Sequence, residues 1–253
     1  MRYYKTMNYK IEICANSVAS CLQAQQGGAY RVELCAGIPE GGTTPSYGEI
    51  AVARELLDIK LNIIIRPRGG DFLYSDVEHR AMLHDIEMAK KLGVDGVVIG
   101  CLKADGTVDM ARNKELIDAA QGMNVTFHRA FDMCKDPFES LEQIIELGCD
   151  TILTSGQQPT AIEGVSLLSE LVEKANNRII IMPGSGVNED NIAILAKETK
   201  ATEFHFSARE PIDSKMKYRN PNLKMGGTVV SIDEFIQNVT DAEKVQRTID
   251  KLK

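Results

Sequence analysis

Ile11–Cys14 reads IEIC and Val32–Cys35 reads VELC, two short runs in which an apolar residue, a glutamate, a second apolar residue and a cysteine follow in the same order. Side chains alternate across a strand, so Ile11 and Ile13 share one face while Glu12 and Cys14 share the other. Val32 and Leu34 oppose Glu33 and Cys35 in the same way. The apolar faces predict an outer layer of helices, and the Glu/Cys faces then look into a common interior. Similar runs recur at Asn62–Arg66 (NIIIR), Gly96–Ile99 (GVVI), Val125–His128 (VTFH), Thr151–Thr154 (TILT), Ile179–Met182 (IIIM) and Glu203–Phe206 (EFHF). Most successive runs lie close to the ~30 residues of a β-loop-α-loop unit. Strands alternating with helices imply a parallel sheet. Eight such units in 253 residues predict an α/β fold, a closed (β/α)8 TIM-type barrel. An open doubly wound sheet, which usually has fewer strands, is the alternative.

Helix signals fall between the runs. Ser75-Asp76-Val77-Glu78 and Thr160-Ala161-Ile162-Glu163 read as capping boxes. Asp136-Pro137 reads as an N-cap followed by proline at the first helical position, Thr44-Pro45 as a similar start, and Asn188 as the cap of a helix running to Thr199. No Pro/Ser-rich linker interrupts the series. The chain therefore reads as one domain over residues 1–253, with an N-terminal extension over 1–9, the barrel over about 10–207, and a C-terminal segment over 208–253. In that last segment Arg209 to Lys224 is long, polar and partly basic, and Ser231 to Lys253 reads as a terminal helix.

The composition narrows function. With 29 basic and 36 acidic residues the net charge is −7, which argues against a general nucleic-acid or membrane-surface binder. Met1 to Lys10 has no apolar region behind its basic residues, and no apolar run approaches the ~18 residues of a membrane span. The six cysteines include no C-x-x-C pair, so they read as reduced thiols of a cytoplasmic protein.

Barrel chemistry sits at the C-terminal ends of the strands. Those positions hold Cys14, Cys35, Arg66, Arg68, Cys101, His128, Arg129, Asp132, Thr154, Ser155 and His205, with Cys134 just beyond. Inward carboxylates need partners, and Arg66 and Arg68 are expected to serve Glu12 and Glu33. One reading is a structural ion-pair network. The other is a tuned acid or base, with Glu33 as the catalytic candidate, His128 as its proton-transfer partner and Arg66 orienting an anionic group. Gly184-Ser185-Gly186 reads as an anion-binding loop, whose N–H groups and following helix could hold a phosphate or carboxylate, or as a tight strand-to-helix turn. Cys14 and Cys35, on neighbouring strands, could place two soft sulfurs around one ion, or they could simply fill space. Cys21 and Cys149 look structural.

The chain resembles the CutC family of copper homeostasis proteins. The resemblance rests on Ile11–Ser17 (IEICANS), Gly27–Gly37 (GGAYRVELCAG), Gly41–Pro45 (GGTTP), Ile65–Tyr74 (IRPRGGDFLY) and Thr126–Met133 (TFHRAFDM). It continues through Ile152–Gln157 (ILTSGQ), Ile181–Asn191 (IMPGSGVNEDN), Thr202–His205 (TEFH) and Tyr218–Pro221 (YRNP), and spans about Lys10 to Gly227. It implies a TIM-type barrel, a cytosolic location and a homo-oligomer, most simply a dimer. It also implies copper(I) binding, with Cys14 and Cys35 matching the suspected metal ligands. No accepted catalytic activity comes with the family. Two functions are therefore expected in competition: copper(I) binding through the thiol pair, or an enzyme acting on a small anionic or phosphorylated metabolite. A barrel acting only through its oligomer surface is a third.

Overall fold

A computed structural model describes residues 9–220, 222 and 233–253. Eight parallel strands surround the axis: β1 (Lys10–Ala15), β2 (Arg31–Leu34), β3 (Lys60–Ile64), β4 (Gly96–Ile99), β5 (Asn124–Phe127), β6 (Thr151–Thr154), β7 (Ile180–Pro183) and β8 (Glu203–Phe206). The hydrogen-bonded order is β7-β6-β5-β4-β3-β2-β1-β8. β7 also touches β8, so the sheet nearly closes into a barrel. Helices α1 (Val18–Gln26), α2 (Tyr47–Leu56), α3 (Asp76–Lys91), α4 (Met110–Ala119), α5 (Pro137–Leu147), α6 (Val165–Ala175) and α7 (Ile192–Thr199) connect successive strands. This is the (β/α)8 TIM-type fold. Strand alternation sorts the side chains as expected. Ile11, Ile13, Val32, Leu34, Leu61, Ile63, Val97, Phe127 and Phe204 are buried in the main hydrophobic core with residues from the helices.

Local chemistry starts and stops several helices where the residues predict. Ser75 accepts from the Glu78 N–H while the Glu78 carboxylate accepts from the Ser75 N–H, closing the capping box of α3. Asp136 caps α5, whose other end is Gly148 at φ +84°.

Other starts differ from expectation. Thr44 does not cap α2, because its hydroxyl accepts from the Arg66 N–H and ties down the end of β3; Ser46 and Glu49 form the capping box instead. Thr160 and Glu163 bond side chain to side chain in a turn, and α6 begins only after Gly164. Asn188 closes a local turn by accepting from the Asp190 N–H, so α7 starts at Ile192.

The C-terminal segment is only partly helical. Arg209–Asp213 forms β9, which pairs antiparallel with β10 (Ile236–Thr240), and the helix proper is α8 (Ala242–Asp250). The β9–β10 pair is pinned to the barrel's first turn: Asn16 donates to the Asn238 carbonyl, and the Thr240 N–H donates to Ser20 Oγ. These long-range bonds are absent from any local periodicity. α8 then packs so closely on α1 that a Cβ at Gly27 would lie 2.6 Å from Val245 Cβ. Residues 1–8 of the expected extension over 1–9, Pro221, and the first residues of the expected terminal helix, Ser231 and Ile232, lie outside the described residues.

Candidate functional site

A chain of charges runs along the barrel interior. Lys10 Nζ is 3.2 Å from Glu203 Oε1, and Arg31 Nη1 donates to Glu203 Oε2 at 2.6 Å. Arg31 Nε reaches Glu12 Oε2 at 2.6 Å, and His205 Nδ1 lies 2.8 Å from Glu12 Oε1. His205 Nε2 then faces Glu33 Oε2 at 3.7 Å. Strand register builds this chain, since Glu12 is the Cα partner of Arg31 on one side and of His205 on the other.

The expected partners, Arg66 and Arg68, are therefore corrected. Arg66 donates to the carbonyls of Glu40, Gly42 and Gly70. Arg68 pairs with Glu78 and Asp71 on the surface loop. Arg31, Glu203 and Asn62, whose Nδ2 donates to Glu12 Oε2 at 3.2 Å, were missed, although Lys10/Glu12/Cys14, Arg31/Glu33/Cys35 and Glu203/His205 each continue the alternation by one further step.

Burial and charge set the titration of this chain. Burial would raise Glu12, but the Arg31 charge and the His205 contact outweigh it and hold the carboxyl at about 2. Burial would lower His205, yet contacts with Cys14 and Glu12 and the charge of Glu33 carry it to about 10. Glu33 has no comparable cation. Burial, reinforced against His205 by the Cys14 and Glu12 charges, raises it to about 8.

The two strand-end thiols meet at the mouth. Cys14 Sγ lies 4.0 Å from Cys35 Sγ, and Arg209 Nη2 donates to Cys14 Sγ at 3.2 Å. The contact with Cys35, then His205 and Arg209, overcomes burial and holds Cys14 well below the usual thiol range. The same bond, with burial, pushes Cys35 well above it. One ligand atom each from Cys14, Glu33 and Cys35 fall within 4.8 Å of one another. Cys101 and Cys134 do not join them: both are buried in the main core, and burial pushes Cys101 up to about 12. Cys21 and Cys149 are buried as well, and burial raises both to about 12.

Cys14, Glu33, Arg66, His128, Arg129 and Ser185 line a cavity of about 560 Å³. His128 Nδ1 accepts from the Ala130 N–H at 3.2 Å, which leaves the neutral ring's proton on Nε2. Burial, then the Arg66 charge, lowers this histidine to about 3. The ring fits because a glycine follows β4: a Cβ at Gly100 would stand 2.6 Å from His128 Cε1 and Nδ1. Arg129 is oriented by Asp132 at 2.7 Å and by Ser155 Oγ at 2.9 Å.

In the loop after β7, Ser185 and Gly186 adopt left-handed φ of +75° and +71° and line the cavity. The Gly184 N–H is committed to the Thr154 carbonyl. α7 begins at Ile192 rather than just after Asn188, so its N-terminus lies farther from Gly186 than the sequence suggests. The structure thus gathers Cys14, Cys35, Glu33, Arg66, His128, Ser185 and Gly186 around one cavity, whereas Gly184 serves β7.

The CutC family model matches residues 9–210. The chain belongs to the CutC family. A CutC family protein of Bacteroides thetaiotaomicron is 63% identical over 246 residues, 97% of this chain and 98% of the relative. Another from Porphyromonas gingivalis (strain ATCC BAA-308 / W83) is 53% identical over 246 residues, covering 97% and 99%. A CutC crystal structure from Streptococcus agalactiae, assigned by name to copper homeostasis, superposes with TM-score 0.76 at 37% identity, covering 79% of this chain and 98% of that one. Thiamine phosphate pyrophosphorylase from Pyrococcus furiosus, at TM-score 0.60 and 15% identity over 98% of this chain and 96% of its own, shares the fold alone. No helix among the described residues of this CutC-family chain is long and apolar enough to cross a membrane.

Proposed function

We propose that this CutC-family barrel binds copper(I) at its mouth through Cys14 and Cys35. The observation that carries the reading is the 4.0 Å separation of the two sulfurs at the edge of an open cavity. Metal–sulfur bonds of about 2.3 Å, the length typical of zinc thiolates, let sulfurs up to about 4.6 Å apart share one ion. Thiolates favour soft copper(I). Both sulfurs must be deprotonated to bind the ion, so affinity rises with pH. All six cysteines are free thiols, which suits a reducing cytoplasm. The S. agalactiae relative's name supports the same role.

The test is an anaerobic copper(I) titration of the reduced protein against a chromophoric chelator, beside the Cys14→Ser/Cys35→Ser variant. One tightly held equivalent in the wild type and none in the variant is expected. Equal competition by both proteins overturns the reading.

A second reading is an enzyme acting on a small anionic metabolite, with any copper effect indirect. It is favoured by the cavity itself, whose 560 Å³ is the size of a small-molecule site and far exceeds an ion. Glu33, with Oε1 buried and unpartnered, is then the acid/base group, with Arg129 and the Ser185–Gly186 turn toward the anion. Binding of a phosphate or carboxylate probe, unaffected by the double cysteine variant, is expected under this reading. Loss of that binding in the variant counts against it.

A further inference from the structure

Arg66 is a buried cation without a counter-charge. It is 5% exposed, and no carboxylate among the described residues lies within 4.0 Å of it. Its Nη atoms donate to three backbone carbonyls, and its Nε–H has no acceptor within hydrogen-bond distance, although the Tyr74 hydroxyl, itself buried and unpartnered, lies near the guanidinium. A second orphan donor accompanies it. His128, 3% exposed, has Nδ1 engaged by the Ala130 N–H and Nε2 buried without a partner. One ring, that of Phe72, covers both groups. Its centroid is 4.9 Å from the His128 ring and 5.1 Å from Arg66 Cζ. All three residues line the same cavity. Buried donors are rarely left unpaired, and a buried charge more rarely still.

We propose that Arg66 and His128 form an oxyanion site, in which Phe72 turns aside and a carboxylate or phosphate oxygen of a small ligand accepts from Arg66 Nε–H and His128 Nε2–H. The proposal deepens the second reading above and rests on it. It changes the role of His128 from proton carrier to neutral donor, because the Nδ1 lone pair is already occupied. Phe72 can move as a side chain while its backbone stays, since its carbonyl is fixed by the Leu102 N–H at 2.9 Å. Arg66 supplies charge and His128 direction, a pairing suited to an anion at one fixed point of the cavity wall.

The experiment uses the full chain labelled with ¹⁵N-histidine and two probes, inorganic phosphate and malonate. Calorimetry gives affinity, and the imidazole resonances report on His128, assigned with the His128→Gln variant. Binding of at least one probe should shift the His128 Nε2 proton, and Phe72→Ala should bind it more tightly. His128→Leu should weaken binding about tenfold, the scale of one hydrogen bond to a charged group. His128→Gln, which keeps a donor near that position, should recover most of the loss. Preference for phosphate points to a phosphorylated ligand, and preference for malonate to a carboxylate. Binding that leaves the His128 resonance unmoved and is unaffected by His128→Leu overturns the site while the second reading stands. No binding of either probe to the wild type or to Phe72→Ala overturns both.

Discussion

Glu12 Oε1 lies 2.8 Å from His205 Nδ1 inside the barrel, and this contact turns the imidazole so that Nε2 faces Glu33 at 3.7 Å. A structural ion pair thereby positions a group that lines the cavity. Glu12, Arg31 and Glu203 form the buried base of the arrangement, and His205 links that base to Glu33 and Cys14.

Replacing Glu12 by glutamine removes the carboxylate shared by Arg31 and His205 and leaves buried cations short of a partner. Breaking a buried pair from one side costs about 3–5 kcal/mol. Urea denaturation of Glu12→Gln should show a loss of that order. A loss below about 1 kcal/mol, the scale of an exposed pair, would show that the chain of charges is not coupled as described.

The pH dependence of stability has two limbs. Glu12 is lowered from 4.5 to about 2, so its contribution is full above 4.5 and lost as pH falls toward 2. His128, lowered from 6.5 to about 3, adds to the acid limb because its contribution is full above 6.5 and lost as pH falls through 3. Glu33 is raised from 4.5 to about 8, so its contribution is full below 4.5 and lost as pH rises to 8. His205, raised from 6.5 to about 10, contributes fully below 6.5 and loses this as pH rises through 10. The urea midpoint should therefore fall on both sides of a mildly acidic maximum. His205→Gln should flatten the decline from about 8 to about 10, and an unchanged slope there would reject the assignment.

Cys14 should be alkylated first. It is the cysteine that is not fully buried, and its thiol is held low by Cys35, His205 and Arg209, whereas burial raises Cys21, Cys101 and Cys149 to about 12. Peptide mapping after brief iodoacetamide treatment at neutral pH should find the label on Cys14, and Arg209→Gln should slow it. Earlier labelling of Cys21 or Cys149 would contradict this.

Gly100→Ala should be destabilising although it adds only a methyl group. The new Cβ would stand 2.6 Å from two atoms of the buried His128 ring, and overpacking of this kind costs about 1–3 kcal/mol. Combined with His128→Ala, the substitution should cost clearly less than the two single effects added together, because the clash is then gone. Strict additivity in thermal melts would mean that the two positions do not meet.

The fold was legible because each barrel strand must bury one face against helices. The period-two alternation in Ile11–Cys14 and Val32–Cys35 therefore records both the strand and its inward side. It also placed Glu12, Glu33, Cys14 and Cys35 in the lumen correctly. Pairing within the lumen was less accessible. Arg66 and Arg68 lie near the expected height in sequence, but the stagger of neighbouring strands sets Arg31 beside Glu12 and leaves the two later arginines to bind loop carbonyls and surface carboxylates. Helix starts such as Thr44 and Asn188 were misread for a related reason, since each polar side chain found a competing partner that capping rules do not weigh.

The sequence alone determined the eight-unit barrel, the inward Glu/Cys faces and the CutC resemblance, all of which follow from local alternation and contiguous motifs. Only the tertiary structure decided that the two sulfurs stand 4.0 Å apart, that His205 joins Glu12 to Glu33, and that Arg66 and His128 share the cover of Phe72. Those relationships depend on barrel stagger and on loops folding back over the mouth. Both set distances between residues far apart in the chain, which a pattern along it does not encode.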